Sequence, residues 1–369
     1  MLQLKGSTLQ RLCLIVPSVI PVAWAYALSP AAKVEALKSA WLRPARASSG
    51  SSLQPLTRGA SRLSAVTASS AASMTTSDVF ALDFDGVICN SQFESSQSAY
   101  RALRELWPSV VTDTLGKTDG LGKEHGKEPP AWVLHKMRKL RPIVETGYEN
   151  ILLVRLLLEE MAVGEGSTTG TRPLTVGEIM ANWGPDMRDD LLRRYDVDKE
   201  TLVERFGQAR DAWMEQDMDS WIAANFFYDG VPEAILACSG PLYVVTTKQL
   251  RFASALLQSA GLSIPEDMIF GLGSGPKADV LAQLQERHSG CTLHFFEDRV
   301  ETLETIAADP RLEEVKLYLC RWGFNTEEQR SRGAAIQRVR LLDEPDMMEV
   351  LTPGAAAAPS AGEASSVPS

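Results

Sequence analysis

The sequence predicts an α/β fold in which a parallel sheet is interrupted, after its first strand, by a long helical insertion. Three observations predict it. The apolar run Val79 to Asp83 stops abruptly in Asp83-Phe84-Asp85-Gly86, as a strand buried on both faces of a parallel sheet does. More apolar runs of strand length follow from Leu242 onward, separated by helical stretches, the pattern of repeated βα units. Between them lie about 150 residues whose apolar positions recur at helical spacing. A direct crossover between parallel strands needs only about a dozen residues, so this gap is long enough for a domain of its own.

The chain has 369 residues, 44% apolar and 23% charged, enough to bury a sizeable core. The expected division is a leader over 1–77, a core over 78–91 and 228–352, a helical insertion over 92–227 and a disordered tail over 353–369. The leader is rich in Ser, Ala and Arg and contains Glu35 as its single acid, the composition of a transit peptide. Its apolar run Leu12 to Leu28 carries Pro17 and Pro21 and is short for a stable membrane span. It also reads as a signal segment with Ala25-Tyr26-Ala27 as the cleavage site. A plastid address is expected, with a mitochondrial presequence or an extension with no address as the alternatives.

Net charge is -10 overall, but the leader is basic, so residues 78–369 carry a net charge of about -17. An acidic body argues against a general nucleic-acid binder and requires any phosphate site to be local, with a metal offsetting the charge. The cysteines Cys13, Cys89, Cys238, Cys291 and Cys320 form no CxxC pair, which excludes an evident zinc site or disulfide framework.

The first strand ends in two carboxylates two residues apart, Asp83 and Asp85. In open α/β sheets the crevice beyond the strand ends is where ligands bind. Such a pair can hold a hard cation through oxygen, or one carboxylate can attack an electrophile while the other shuttles a proton. Asp and Gly are also ordinary turn formers. Gly86 allows the sharp turn without a Cβ penalty.

In the insertion, helices are predicted over Ser95 to Trp107, Tyr148 to Met161 and Lys199 to Met218. The second is apolar nearly all round, broken mainly by Arg155, and so is expected to be well buried. Residues 113–130 and Gly164 to Pro173 read as loops. The basic run His135, Lys136, Arg138, Lys139 and Arg141 reads either as a solvated helix face or, at Arg141, as a grip on a substrate's leaving group.

The core resumes with a strand over Leu242 to Thr246, and Thr246-Thr247-Lys248 follows at its end. A hydroxyl there can donate to a phosphoryl oxygen or cap the next helix. That helix, Arg251 to Ala260, stops at Gly261. A short strand is expected over Ile269 to Gly271. The glycine-rich stretch Gly271 to Val280 then places Lys277 at the start of a helix. The strand Leu293 to Phe296 ends in Glu297-Asp298. Acids again close a buried strand, which is the best residue-level indication of a metal site, because parallel strands end along one edge. Strands over Val315 to Cys320 and Val339 to Leu342 and a helix over Pro345 to Leu351 complete the core.

In order, the chain offers Asp-x-Asp-Gly, a strand-end Thr, a Lys before a helix and a strand-end acid. This series resembles that of the haloacid dehalogenase (HAD) superfamily over about residues 79–352. In Tyr228-Asp229-Gly230-Val231, Thr246-Thr247-Lys248 and Trp322-Gly323-Phe324 it is similar to the phosphoglycolate-phosphatase-like branch. The resemblance implies a Rossmann-like core with the insertion as a C1-type cap. It implies Asp83 as nucleophile, Asp85 as general acid and base, and Thr246 and Lys277 on the phosphoryl oxygens, with Thr247 and Arg141 as further candidates. It also implies Mg2+ between Asp83, the Asp85 backbone carbonyl and Asp298. The family's usual second acid, four residues after Asp298, is Thr302 here, which leaves Glu297 or Glu301 to complete the metal site.

The function expected from this is a Mg2+-dependent phosphatase acting on a small phosphorylated metabolite. A HAD-fold metabolite-binding or assembly protein with weak turnover is the alternative. A dehalogenase, which needs no second acid in the first motif, and a phosphonatase rank lower. Substrate identity and oligomeric state are not legible.

Overall fold

The computed structural model describes residues 77–116, 128–166, 173–238 and 240–352. The leader, apart from Ser77, and the tail lie outside them, as do residues 117–127 and 167–172 of the two expected loops.

Six parallel strands form the main sheet: β1 (Asp78–Leu82), β4 (Leu242–Val245), β5 (Ile269–Phe270), β6 (Thr292–Glu297), β7 (Lys316–Cys320) and β8 (Val339–Leu342). Their spatial order is β5-β4-β1-β6-β7-β8. The chain leaves β1, builds outward through β4 and β5, and then crosses back to build through β6, β7 and β8. The reversal falls between β1 and β6, where the crevice at the strand ends binds ligands in sheets of this kind.

Alternate residues of each strand point to opposite faces, and both faces are apolar. Phe80, Leu82, Val244 and Phe296 belong to one cluster; Val79, Ala81, Val245 and Phe295 belong to the other. This explains why β1 and β4 read as continuous apolar runs rather than alternating ones. The first face is covered by helices α8 (Val231–Ala237), α9 (Leu250–Ser259) and α13 (Glu344–Leu351), the second by α10 (Lys277–Arg287) and α11 (Val300–Ala307). Helix α12 (Glu327–Ala335) packs beside β8.

Among the described residues, seven α-helices lie between β1 and β4 before α8: α1 (Gln92–Leu106), α2 (Pro108–Leu115), α3 (Ala131–Leu140), α4 (Glu149–Gly166), α5 (Val176–Asn182), α6 (Pro185–Tyr195) and α7 (Lys199–Ala223). They have their own apolar cluster, built on Tyr100, Leu103, Met137 and the Ile151 to Leu158 face of α4. Arg155, the polar break in α4, lies over the rings of Trp107 and Tyr195 at 4.0 and 3.7 Å and pairs with Glu159. Helix α4 runs on to Gly166, into what the sequence suggested was a loop, and residues 113–115 form the last turn of α2, which Pro108 opens. The long α7 continues past Met218 to Ala223, with a kink at Asp217.

A two-stranded ribbon, β2 (Cys89–Asn90) paired antiparallel with β3 (Phe226–Phe227), joins the two ends of this insertion. No helix among the described residues is long and apolar enough to cross a membrane.

Candidate active site

At the C-terminal ends of β1 and β6 the structure brings together residues far apart in sequence around one cavity of about 500 Å³. Its lining includes Asp83, Asp85, Arg141, Thr246, Lys277 and Asp298. The end of β1 is tied down by a hydrogen bond from Asp83 N to Phe296 O at 2.9 Å. Gly86, at φ +92°, turns the chain away, and a Cβ there would overlap the Asp298 carboxylate. A Cβ on Gly323 would meet Asp298 and Gly86 O in the same way. The bare backbone at both positions lets two loops close around Asp298.

Asp83, Glu297 and Asp298 are all buried and offer carboxylate oxygens within 4.8 Å of one another. Lys277 Nζ reaches Glu297 Oε2 at 2.7 Å and Asp83 Oδ2 at 3.1 Å. The second oxygen of Glu297 accepts from the backbone N–H of Asp298 and of Arg299, both at 3.1 Å. Glu297 is therefore the anchor of Lys277 and of the turn after β6. Asp298 accepts from Phe324 N at 2.6 Å, and Asp83 Oδ1 from Phe84 N at 2.7 Å.

Burial pushes the Asp83 carboxyl up to about 6, against the pull of Lys277. Burial and the neighbouring Asp83 push Asp298 up to about 6 as well. Two acids displaced in this direction mark a place where negative charge is crowded and poorly solvated.

Asp85 lines the same cavity but lies outside the three-carboxylate group. Its carboxylate is held by Lys248 Nζ at 2.9 and 3.3 Å. Burial pushes this acid up, but Lys248 and Arg141 outweigh it and hold the pKa at about 2.

Thr246 is buried and its Oγ1 accepts from Lys248 N at 3.2 Å, which leaves the hydroxyl hydrogen free to donate elsewhere. It does not cap α9, whose N-cap is Gln249 without a side-chain cap. Thr247 Oγ1 donates to Glu145 O of the insertion at 2.9 Å, so its hydrogen is already committed and it ties the core loop to the insertion. Arg141 follows α3, lies 3.9 Å over the Phe324 ring and donates to Val144 O at 3.1 Å. Of the two readings of the basic run, the one that turns Arg141 toward the site fits its place in the cavity lining. Glu301 is engaged by Gln329 and Arg332 and is not in the carboxylate group. Lys248, the last residue of Thr246-Thr247-Lys248, is a site residue that the sequence does not signal: its partner Asp85 is 163 residues away, and nothing local marks the pairing.

No family model matches the chain, and no curated protein matches it. Solved structures similar to it include a predicted phosphatase from Clostridium acetobutylicum (14% identity, TM-score 0.41, covering 75% of this chain and 98% of that one). Another is a predicted phosphoglycolate phosphatase from Haemophilus somnus 129pt (14%, 0.43, 75% and 99%). A third is a HAD family hydrolase from Deinococcus radiodurans R1 with bound phosphate and sodium (14%, 0.35, 75% and 95%). Likenesses of this strength carry no functional argument, which rests on the site.

Proposed function

We propose that the protein is a HAD-type phosphatase that hydrolyses small phosphate monoesters with the help of Mg2+ through a phosphoryl bond to Asp83. One observation carries the reading: two carboxylates two residues apart open onto one cavity in opposite electrostatic settings. Asp83 sits among acids beside Lys277, and Asp85 sits against Lys248. Pairs of acids whose surroundings drive them apart are how one site divides nucleophile from proton carrier.

The donor set fits a hard divalent cation. Its side-chain atoms are all carboxylate oxygens, close enough to share one ion. Asp83 and Asp298 would hold it together with the Asp85 carbonyl, with Glu297 behind them. When bound, Mg2+ supplies charge neutralisation for the phosphoryl oxygens and the nucleophile.

The chain's own residues do the rest. An Asp83 carboxylate oxygen attacks phosphorus and the bond to the leaving oxygen breaks. Lys277, 3.1 Å from Asp83, offsets the repulsion between carboxylate and phosphate. Thr246 donates its free hydroxyl hydrogen to a phosphoryl oxygen. Asp85 gives a proton to the leaving oxygen, then takes one from the water that attacks phosphorus, releasing phosphate and restoring Asp83. With its pKa held at about 2, Asp85 is a carboxylate in the free protein. An incoming dianion raises its proton affinity, so Asp85 takes up from solvent, as the substrate binds, the proton it then donates.

Purified protein is expected to release phosphate from p-nitrophenyl phosphate with Mg2+ and to stop when the metal is chelated. Asp83→Asn should abolish turnover. A near-normal rate for Asp83→Asn, or no activity of the wild type on any of a broad set of phosphate monoesters, would refute the reading.

A further inference from the structure

Two lysines serve the two site carboxylates, and they are placed differently. Lys277 lines the cavity, where it can meet a substrate. Lys248 is not part of the lining and its side chain is 0% exposed, whereas the Asp85 carboxylate it grips does face the cavity. Lys248 Nζ spans both oxygens of Asp85, at 2.9 and 3.3 Å.

Its backbone is fixed on both sides. Lys248 N donates to Thr246 Oγ1 at 3.2 Å, and Lys248 O accepts from Leu272 N at 2.9 Å. Gly271 packs against this segment so closely that a Cβ on it would lie 2.9 Å from Lys248 O and 2.8 Å from Leu250 N. A second buried carboxylate, Glu94, feels the Lys248 charge and is itself clamped by Arg210 at 2.8 and 2.7 Å. The result is a buried row of alternating charge, Asp85, Lys248, Glu94 and Arg210, running from the cavity edge into the insertion.

A fully buried ammonium is costly to desolvate and does not increase stability over an apolar residue of the same size unless its geometry is excellent. It also lies outside the cavity lining. Its place is accounted for by what it does to Asp85, whose two carboxylate oxygens it holds at once.

We propose that Lys248 is a positioning residue, holding the Asp85 carboxylate in the orientation from which it passes a proton to the leaving oxygen. The inference rests on the phosphatase reading above. A leaving group that departs readily without a proton should depend little on this orientation, and a poor one should depend on it strongly. A lysine that only holds the fold together would affect both alike.

The experiment uses the full chain with Mg2+ in single-turnover kinetics, comparing phenyl phosphate with p-nitrophenyl phosphate. Lys248→Met is expected to slow release of phenol by about 100-fold, within the usual worth of a general acid, and release of p-nitrophenol by less than about 10-fold. Should that variant fold poorly, Lys248→Met combined with Asp85→Asn removes both charges and leaves none unpaired. Against Asp85→Asn alone it should cost nothing further, since residues acting through one another are not additive. Equal losses on both esters, or a further loss in the Asp85→Asn background, overturn the role of Lys248 while leaving the phosphatase reading intact. A wild type inert on both esters, and on other phosphate monoesters, overturns the phosphatase reading itself.

Discussion

Asp83 and Asp85 differ by one intervening residue, and the fold sends them to different partners: one to the acids at the end of β6, the other to a lysine beyond β4. What was legible here was the position of each acid, because an apolar run that ends in carboxylates announces a strand end at a sheet edge. The partners were not legible. Lys248 and Asp85 meet only once β1 and β4 are side by side, and Thr247 is drawn to Glu145 only once the insertion has folded. His294 is a third case. On β6, at the far end from the site, its Nε2 faces Asp78 Oδ1 at 3.1 Å and its Nδ1 faces Tyr318 Oη at 2.9 Å. The neutral ring satisfies both, donating to the carboxylate and accepting from the phenol. Burial, only partly offset by Asp78, lowers its pKa from the ordinary 6.5. The unfolded chain therefore takes up this proton more readily than the folded one. The stability His294 contributes is present above about pH 6.5 and is lost as the pH falls below that value. Urea unfolding should show wild type losing ground to His294→Gln between pH 8 and pH 5; a difference that does not change with pH would contradict this.

Among the elements, the sheet strands and the helix α4 were visible, whereas the ribbon and the helix α6 were not. Helix α4 was recognisable from an apolar pattern spread around nearly its whole surface, and burial of the Ile151 to Leu158 run agrees with that. The ribbon of β2 and β3 has two residues in each strand, too few for any period to register. It owes its existence to the geometry of the chain leaving and re-entering the core. Helices α1 and α7, which begin and end the insertion, are joined by the buried pair Glu94 and Arg210, with Ser98 and Trp221 also donating to Glu94. Neither residue carried any signal in the sequence, since each sits on a helix like any other charged residue. Removing one partner of a buried pair leaves the other uncompensated and costs about 3–5 kcal/mol, whereas replacing both by uncharged residues costs much less. Arg210→Met should therefore lose about this much stability in denaturant titration, and Arg210→Met with Glu94→Gln should recover most of it. A double variant as unstable as the single one would show that the pair matters for packing rather than charge.

At the scale of the molecule, the sheet order β5-β4-β1-β6-β7-β8 places its reversal next to β1. That single feature gathers Asp83, Asp85, Glu297 and Asp298 at one edge, although the insertion, β4 and β5 all lie between the first pair and the second in sequence. The architecture was legible because three of the four stations of the series fall at the end of an apolar run, and the fourth, Lys277, opens a helix. What the cavity selects was not, because its walls combine core loops with Arg141, Val144 and Glu145 of the insertion, whose placement depends on helix packing that no local pattern encodes. An acidic body can still receive a phosphate here, since Lys277 and the proposed Mg2+ supply positive charge locally. The central claim is that phosphorus becomes bonded to Asp83. Quenching the protein during turnover of p-nitrophenyl phosphate and reducing it with borohydride converts a phosphorylated aspartate to homoserine, which peptide mass spectrometry can locate. Homoserine at position 83, absent without substrate, is the predicted result. An unchanged Asp83 during active turnover, or conversion at a different carboxylate, would contradict the account.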